Sequence, residues 1–578
     1  MASLIGSNFP QHSVGKLPSD YLKIHDGDKV KAKIANALQI HEQYKAFKDQ
    51  RTQTLLPSIL PRPDPFELEL ESHLQSIDRY VARNDYVEAL KLADELYDQS
   101  LRGLFHYQRY HRLPLYIATS LSYVGFITYT IVFVATEYTA IFVKLETMSS
   151  QIAYIFGLLG VLYSFLSTVG QNVPYHFFCY YSCPFIIWTL VWKQLMAIQV
   201  APNQQKQAKD LSKLLIWAAI TIEALIQAFS DRRWLCLALA LQIFLHLKWK
   251  KSDLFWAVLC LILMLFTFQP SVGKESQPRL VVAAAILSVV ILSACYIIEN
   301  RFRLHELVRH VAYLIVSGLC VLYSDVPFTH FLSWTIFVSA IPTALMSSNV
   351  LLWRLQSLVV ALQSIYQLFS LTYEALFLIT LTLTLAFWLQ REYSQMTTSL
   401  IGLSQVKIQE NAKERAVVND DDLKRALTFV TFAIVSFFGT GNIASLNSFD
   451  PKSIQTLVTT FNPFLMGGLL LLKVILPFFL VALFAFCVQY VTHMPQKALF
   501  LIVMIFSDFM GLHFFFLVTD QGSWLDIGTS LSHFVIVEAT VIFLQIMFYL
   551  ASFSMTLKFA RKSNESKSEP NIFIVKND

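Results

Sequence analysis

An aspartate and a histidine lie inside the apolar stretch FSDFMGLHFFFLVTDQGSWLDIGTSLSHF, residues 506–534. A charged side chain near the middle of a bilayer is costly, so Asp508 and His513 are candidates for a functional site. They are five residues apart, or about 140° around a helix, which does not place them on one face. Two interpretations stay open: a ligand pair, or separate hydrogen bonds within a helical bundle.

Three more polar residues are candidates for contact with a lipid headgroup. Asp526 and His533 are expected at a loop and at the start of the last apolar run, where the alternative is simple solvation. Asn442 belongs to GTGNIASLNSFDPKS (439–453), whose Gly, Asn and Ser content is typical of a structured loop. The candidate substrate-binding residues are therefore Asn442, Asp508, His513, Asp526 and His533.

A lysine interrupts the apolar stretch MGGLLLLKVILPFF. Such a charge needs a partner, and we predict that Lys473 pairs with Asp508, with Glu223 and Glu538 as alternatives. The competing interpretation is that the helix is tilted or broken at Pro477, which would bring Lys473 closer to water.

The composition predicts a polytopic membrane protein. The chain has 578 residues, of which 55% are hydrophobic and 15% charged, more apolar than one soluble core of ordinary composition. The net charge of +5 comes without a basic stripe interleaved with aromatic residues, so we expect no nucleic-acid binding. All seven cysteines lie within or beside apolar runs and are predicted to be buried thiols, and the Cys179 to Cys183 spacing matches neither a redox nor a zinc motif.

Fifteen apolar runs follow residue 112, each near the length that crosses about 30 Å of hydrocarbon. The fifth and sixth runs are short and are alternatively a re-entrant pair. Glu374 falls in a very short connection and is expected to be solvated. The runs are 113–135, 152–169, 175–192, 211–229, 233–247, 254–268, 280–298, 307–323, 329–346, 350–371, 375–390, 426–439, 461–490, 499–518 and 531–555.

The distribution of positive charge predicts the orientation. With fifteen spans and a cytosolic C-terminus, the cytosolic segments contain 24 Lys and Arg residues. The opposite segments after residue 112 contain only Arg232, Arg233, Lys274, Arg279 and Lys452. By the positive-inside rule, residues 1–112 face the lumen or the exterior.

Residues 67–112 are predicted to form a helical hairpin. Apolar residues recur at helical spacing on both sides of Asn84-Asp85, and Asp85 with Glu88 has the form of a capping box. A Pro-rich linker, 51–66, precedes the hairpin. A membrane domain, 113–557, and a cytosolic tail, 558–578, follow it. The N-terminus has neither the basic nor the apolar region of a signal peptide.

Several stretches resemble the family of GPI ethanolamine phosphate transferases that act on the first mannose. They are YEALF (373–377), FFGTGNIASLNSFD (437–450), residues 500–537 and LRGLFHYQRY (101–110). MASLIG, SVGKLPSDYL and ANALQIHEQY near the N-terminus resemble the end of that family's lumenal catalytic domain, so that residues 1–50 are expected to be a remnant of it. The resemblance covers essentially the whole chain and corresponds to the family's C-terminal membrane half.

The resemblance implies an all-α endoplasmic reticulum membrane protein of GPI-anchor biosynthesis. Such enzymes transfer phosphoethanolamine from phosphatidylethanolamine to a mannose of the GPI precursor, with a catalytic domain similar to alkaline phosphatases, a threonine nucleophile and two zinc ions. Paired metals would activate the nucleophile and stabilise the entering and leaving oxygens. Because no residue here matches the family's nucleophile or ligands, we expect no catalytic residue, no bound zinc and a largely absent catalytic core, as in a fragment.

Two other functions stay open at this point. A lipid transporter or flippase would also have many spans with a few buried charges, although neither an inverted repeat nor a pair of broken helices is evident. A catalytically inactive lipid-binding fragment is the other alternative. The expected partners in every case are membrane lipids, phosphatidylethanolamine and the GPI precursor among them.

Overall fold

A computed structural model shows the architecture of the chain. It describes residues 7, 10, 12–52, 70–139, 142–144, 150–170, 173–196, 198–200, 205–246, 251–270, 272, 276–298, 304–396, 402–409, 414–442 and 451–557. Most of the predicted linker, residues 443–450 of the polar loop and the C-terminal tail from 558 lie outside this part of the chain.

The chain divides into two compact units. The first contains Met1–Val132 and Lys144–Ile198, and the second contains Phe133–Val143 and Gln199–Asp578. The helices of the first unit are α1 (Asp26–Thr52), α2 (Leu70–Ala82), α3 (Tyr86–Gln108), α4 (Arg112–Glu137, as far as Val132), α5 (Ser150–Gly170) and α6 (His176–Met196).

In the first unit, α1 and α2 pack against α3 around a small apolar core. The turn between α2 and α3 places Asn84 at a φ of 60°, a conformation that Asn tolerates better than most residues. Asp85 then caps α3, because its side chain accepts a hydrogen bond from the Glu88 N–H. The predicted hairpin turn is therefore present at these residues.

Helices α5 and α6 pack closely because α5 has glycines at the contact. A Cβ added to Gly157 would collide with Thr189, and one added to Gly160 would collide with Phe185. Small residues that let two backbones approach are typical of helix pairs in membranes.

The second unit contains twelve helices among the residues that the structure describes, from α7 to α18. They are α7 (Gln205–Gln227), α8 (Leu235–His246), α9 (Lys251–Thr267), α10 (Pro278–Ile298), α11 (Leu304–Leu322), α12 (Pro327–Leu345), α13 (Leu351–Leu368), α14 (Glu374–Met396), α15 (Asp420–Gly439), α16 (Pro463–Thr492), α17 (Gln496–Leu517) and α18 (Trp524–Thr556). Two three-residue strands, Phe142–Lys144 and Ile198–Val200, lie where the chain passes from one unit to the other.

Helix α13 is central to this unit and packs against α11, α12, α14 and α16. Nearly all of its residues are buried, including polar ones that neighbouring helices satisfy. The Ser317 hydroxyl donates to Gln367 Oε1 at 2.6 Å, and the Gln363 amide donates to Ser288 Oγ at 2.7 Å. This polar content lowers the hydropathy of α13 although it is buried on all sides.

Nine helices of the described residues are long and apolar enough to cross a membrane. Each of the fifteen predicted apolar runs lies largely in one of the helices α4 to α18, so the prediction of a helical, multi-pass membrane protein is confirmed at this level. Helix α8, with 12 residues, is one of those that fall outside the nine. Its length of about 18 Å is less than the hydrocarbon thickness.

Candidate functional site

A buried ion pair links the start of α14 to α16. Glu374 is the first residue of α14, and its Oε1 lies 2.6 Å from Lys473 Nζ. Its other carboxylate oxygen accepts a hydrogen bond of 2.7 Å from the Leu371 N–H. Lys473 is about 15 Å along α16 from its first residue, because an α-helix rises 1.5 Å per residue. The first residue of α14 is therefore level with this point inside α16 and not with the start of α16.

This arrangement corrects two predictions. Glu374 is not solvated, because it is buried. Its position in a short connection between helices suggested that its carboxylate would be in contact with water, but the connection is packed among other segments. Lys473 pairs with Glu374 and not with Asp508, because Lys473 faces α14, whereas Asp508 is on α17 beside α18.

Two of the motifs found in the sequence meet around this pair. Gly439, at the end of α15, packs so closely on the Phe377 ring that an added Cβ would collide with it. Gly441 has a φ of 80°, and an added Cβ would collide with Val272 and lie 2.8 Å from the Tyr373 hydroxyl. Both glycines are required for the approach of the GTGN segment to the YEALF segment.

Tyr373 joins a further loop to the same place. Its hydroxyl donates to the Pro270 carbonyl at 2.8 Å and accepts a hydrogen bond of 3.3 Å from Arg232 Nη1. We call Arg232, Tyr373, Glu374, Gly441 and Lys473 the Glu374 cluster. It connects four loops and two helices at one end of the second unit.

Asn442 directly follows the Glu374 cluster in the chain. Its side-chain amide donates to Thr440 Oγ1 at 3.1 Å, and the residue is partly exposed. The proposed contact with substrate stays a prediction.

His513 and Asp508 have different surroundings on α17. His513 Nδ1 lies 3.3 Å from Glu223 Oε2 on α7, an ion pair when the imidazole is protonated. Asp508 Oδ2 is buried and has no hydrogen-bond partner among the described residues. The interpretation of separate contacts therefore fits His513. Glu223 was an alternative partner for Lys473, but it contacts His513 instead.

Asp526 belongs to the capping box at the start of α18, where Ser523 is the N-cap residue. The Ser523 N–H donates to Asp526 Oδ2 at 3.3 Å, and the Asp526 N–H donates to Ser523 Oγ at 3.1 Å. This is a reciprocal capping box, a role that the sequence reasoning did not assign to these residues. The SxxD spacing was the signal for it.

His533 lies among aromatic rings at the same end as the Glu374 cluster. Its ring centroid is 5.4 Å from that of Phe229 and 5.9 Å from that of Phe514. Phe229 also contacts Phe438, which precedes the GTGN segment. The predicted residues Asn442, His513 and His533 are thus all at this end of the bundle.

An apolar groove of about 760 Å³ begins at these aromatic rings. Helices α15, α16, α17 and α18 form its walls, and Phe229 closes one end. None of the described residues that line it is charged. Its volume is within the roughly 300–1,000 Å³ of typical small-molecule sites.

A second ionic cluster, which the sequence analysis missed, lies at the opposite end of α14 and the start of α15. Arg425 Nε donates to Glu392 Oε2 at 2.7 Å, and Arg425 also contacts Asp422. Arg415 donates to both carboxylate oxygens of Asp422, at 2.9 and 3.1 Å. Burial with paired, hydrogen-bonded charges is the arrangement expected for such groups, and the DDDLKR stretch (420–425) was the available signal.

The described residues do not provide a zinc site. Within the part of the chain that the structure describes, no three His, Cys, Asp or Glu side chains are grouped so that they could hold a metal ion. Asp508 on α17 and Glu538 on α18 are carboxylates on helices that pack together, but two carboxylates without a third ligand do not match the three or four ligands of zinc centres.

Comparison with known proteins gives a consistent set of relatives. The sequence profile of the family described as phosphatidylinositolglycan class N (PIG-N) matches residues 102–523. A Homo sapiens protein named GPI ethanolamine phosphate transferase 1 is 34% identical over 607 residues, which cover 98% of this chain and 65% of that protein. The Mus musculus protein of the same name is also 34% identical, over 96% of this chain and 64% of its own length.

More distant relatives have the same name. The protein from Aspergillus oryzae is 26% identical over 95% of this chain and 60% of its own length. This chain thus spans somewhat less than two thirds of the length of the curated relatives that it matches. No solved structure matches the chain significantly.

Proposed function

We infer the function from one premise: this chain belongs to the phosphatidylinositolglycan class N (PIG-N) family. We propose that it is the membrane portion of an enzyme that transfers phosphoethanolamine from phosphatidylethanolamine to the first mannose of the GPI precursor. The observation that carries this proposal is the 34% identity, over 98% of the chain, to a protein named GPI ethanolamine phosphate transferase 1.

In this proposal the chain lies in the endoplasmic reticulum membrane and all of α4 to α18 belong to the membrane domain. The asymmetry of Lys and Arg supports a lumenal location for residues 1–112 and a cytosolic C-terminus. Helices α8 and α9 form a re-entrant pair or two short spans. Either arrangement leaves an odd number of crossings and the same orientation.

The orientation assigns the two ends of the bundle to different compartments. The end with Asn442, His513, His533 and the Glu374 cluster is lumenal, and the end with Arg425 and Glu392 is cytosolic. The lipid substrates would therefore meet the catalytic groups at the Glu374 end. The two zinc ions of the family resemblance are assigned to a catalytic domain and not to the residues described here.

Within that function, the Glu374 cluster is a positioning element. Its buried ion pair and Gly441, together with the neighbouring Gly439, hold the GTGN segment at a defined place at the lumenal end. Fixed positions for substrate-contacting segments lower the entropic cost of bringing two lipids together. No residue of the cluster is assigned a role in the chemical step.

A chimera tests the proposal. The aligned segment of the Homo sapiens relative is replaced by this chain and expressed in cells that lack that relative. We expect the chimera to restore phosphoethanolamine on the first mannose of GPI precursors, detected by mass spectrometry of extracted glycolipids. A chimera that reaches the membrane in folded form and restores nothing would contradict the proposal.

A further inference from the structure

The groove between α15, α16, α17 and α18 has the chemistry of a site for a hydrocarbon chain. Its lining contains only three hydroxyl groups among apolar side chains, and each of these donates to a backbone carbonyl in the protein. Ser507 Oγ donates to Val537 O at 3.1 Å, Ser532 Oγ to Gly528 O at 2.6 Å and Thr540 Oγ1 to Ile536 O at 2.7 Å. The groove therefore has no free hydroxyl donor for a polar ligand.

The groove is open at its side. Leu471 on α16 and Leu531, Val535 and Ile536 on α18 line it and are between 42% and 62% exposed. Because α16 and α18 are long apolar helices able to cross a membrane, these exposed side chains face hydrocarbon in a bilayer. A lipid chain can thus enter laterally without passing through water.

The end of the groove at Phe229 has groups that match a zwitterionic headgroup. Phe229 contacts His533 and Phe514, and His513 next to Phe514 contacts the Glu223 carboxylate at 3.3 Å. Neither residue lines the groove itself, and their side chains are 45% exposed for Glu223 and 32% exposed for His513. A carboxylate accepts hydrogen bonds from an ammonium group, and a protonated imidazole donates to a phosphate.

We propose that this groove binds one acyl chain of an ethanolamine phospholipid, with its ammonium group on Glu223 and its phosphate beside His513 and His533. This inference rests on the proposed function, since it names the place where the donor lipid is held. The apolar lining selects the chain, and the carboxylate favours a primary ammonium, which donates N–H bonds, over choline, which has none.

The test uses the full chain in nanodiscs and measures lipid binding without transfer. The probe is a phosphatidylethanolamine with a photoactivatable diazirine on one acyl chain, and the labelled peptides are identified by mass spectrometry. We expect labelling on the groove faces of α16 and α18. Unlabelled phosphatidylethanolamine should compete at least about threefold better than phosphatidylcholine or phosphatidylglycerol, a ratio that one hydrogen-bonded charge readily provides.

Matched variants on α18 locate the binding. Ala539→Trp fills the groove, whereas Ile542→Trp adds the same ring to an exposed residue that does not line it. We expect the first variant to reduce labelling about fivefold or more and the second to change it less than about twofold. Size-exclusion chromatography checks that both variants are folded. Glu223→Gln should retain labelling and lose the preference for the ethanolamine headgroup.

Two results would overturn the proposal. Equal labelling of the Ala539→Trp and Ile542→Trp variants would show that the acyl chain does not occupy the groove. Competition without a preference for phosphatidylethanolamine would show that Glu223 and His513 do not distinguish the headgroup. The proposed function is tested separately by transfer in the chimera. An active chimera together with no labelling of the groove would reject the groove proposal alone. Labelling of the groove together with an inactive chimera would reject the proposed transferase function alone.

Discussion

Glu374 Oε1 and Lys473 Nζ form an ion pair of 2.6 Å between the first residue of α14 and the middle part of α16. The Glu374 side chain is 1% exposed and that of Lys473 9% exposed. Two such charges in a low-dielectric interior each depend on the other for compensation. The pair therefore determines how α14 and α16 are aligned along the bundle.

Removal of one member of the pair should be strongly destabilising. Glu374→Gln or Lys473→Met leaves an uncompensated buried charge, for which the expected loss is about 3–5 kcal/mol of folding free energy. The double variant should recover a large part of the loss. Thermal unfolding of the purified variants in detergent, as a double-mutant cycle, measures the coupling. Strictly additive losses would show that the two side chains do not interact.

Asp508→Asn should have the opposite outcome. Asp508 Oδ2 is buried without a hydrogen-bond partner in the described structure, and a buried carboxylate without a partner is unfavourable. Neutralising it therefore removes an unfavourable interaction, and we expect folded yield equal to or above that of the wild type. The comparison is made beside Glu374→Gln in the same expression system. A loss as large as that of Glu374→Gln would mean that Asp508 has a stabilising partner after all.

Gly441→Ala should loosen the Glu374 cluster. The residue has a φ of 80°, and a Cβ would collide with Val272, so we expect a loss of about 1–3 kcal/mol. Gly467→Ala on α16 is the matched control, because a Cβ there meets nothing within 4 Å. It should be neutral or slightly stabilising. Similar thermal stability for the two variants would contradict the tight packing of the GTGN segment.

The stability of the first unit should decrease in mild acid. His41 on α1 is 7% exposed, and burial lowers the pKa of its imidazole below the usual 6.5. Since the folded unit disfavours the protonated form and the unfolded chain does not, the stabilisation is complete above pH 6.5 and is lost progressively below it. Hydrogen exchange of α1 and α3 amides at about pH 7.5 and 5.5 measures the change. His41→Gln should have a smaller dependence on pH, and an unchanged dependence would assign the effect to another group.

Helix positions could be predicted from the sequence because hydropathy is a local property. The apolar runs correspond to α4 through α18, and the Asn84-Asp85 turn is where capping chemistry placed it. Whether an apolar run crosses the membrane depends less on its local sequence and more on the helices that pack around it. Helix α13 has buried Gln and Ser residues, and it is stable because α10 and α11 provide their partners.

Partners of charged residues could not be predicted, because they depend on which faces of distant helices meet. Lys473 was matched with Asp508 since both lie in apolar runs, but the packing of α14 on α16 gives it Glu374. The YEALF and GTGN motifs were visible in the sequence. Their contact through Gly439 and Gly441 appears only in the folded chain.

The central claim, that this chain supports phosphoethanolamine transfer to a GPI precursor, is tested most directly by transfer in vitro. Microsomes that contain the chimera receive phosphatidylethanolamine labelled in its ethanolamine group together with a mannosylated GPI acceptor. We predict time-dependent label on the first mannose, absent from microsomes without the chimera. Folded chimera in the membrane with no label on the acceptor, or with label only on another sugar, would contradict the account.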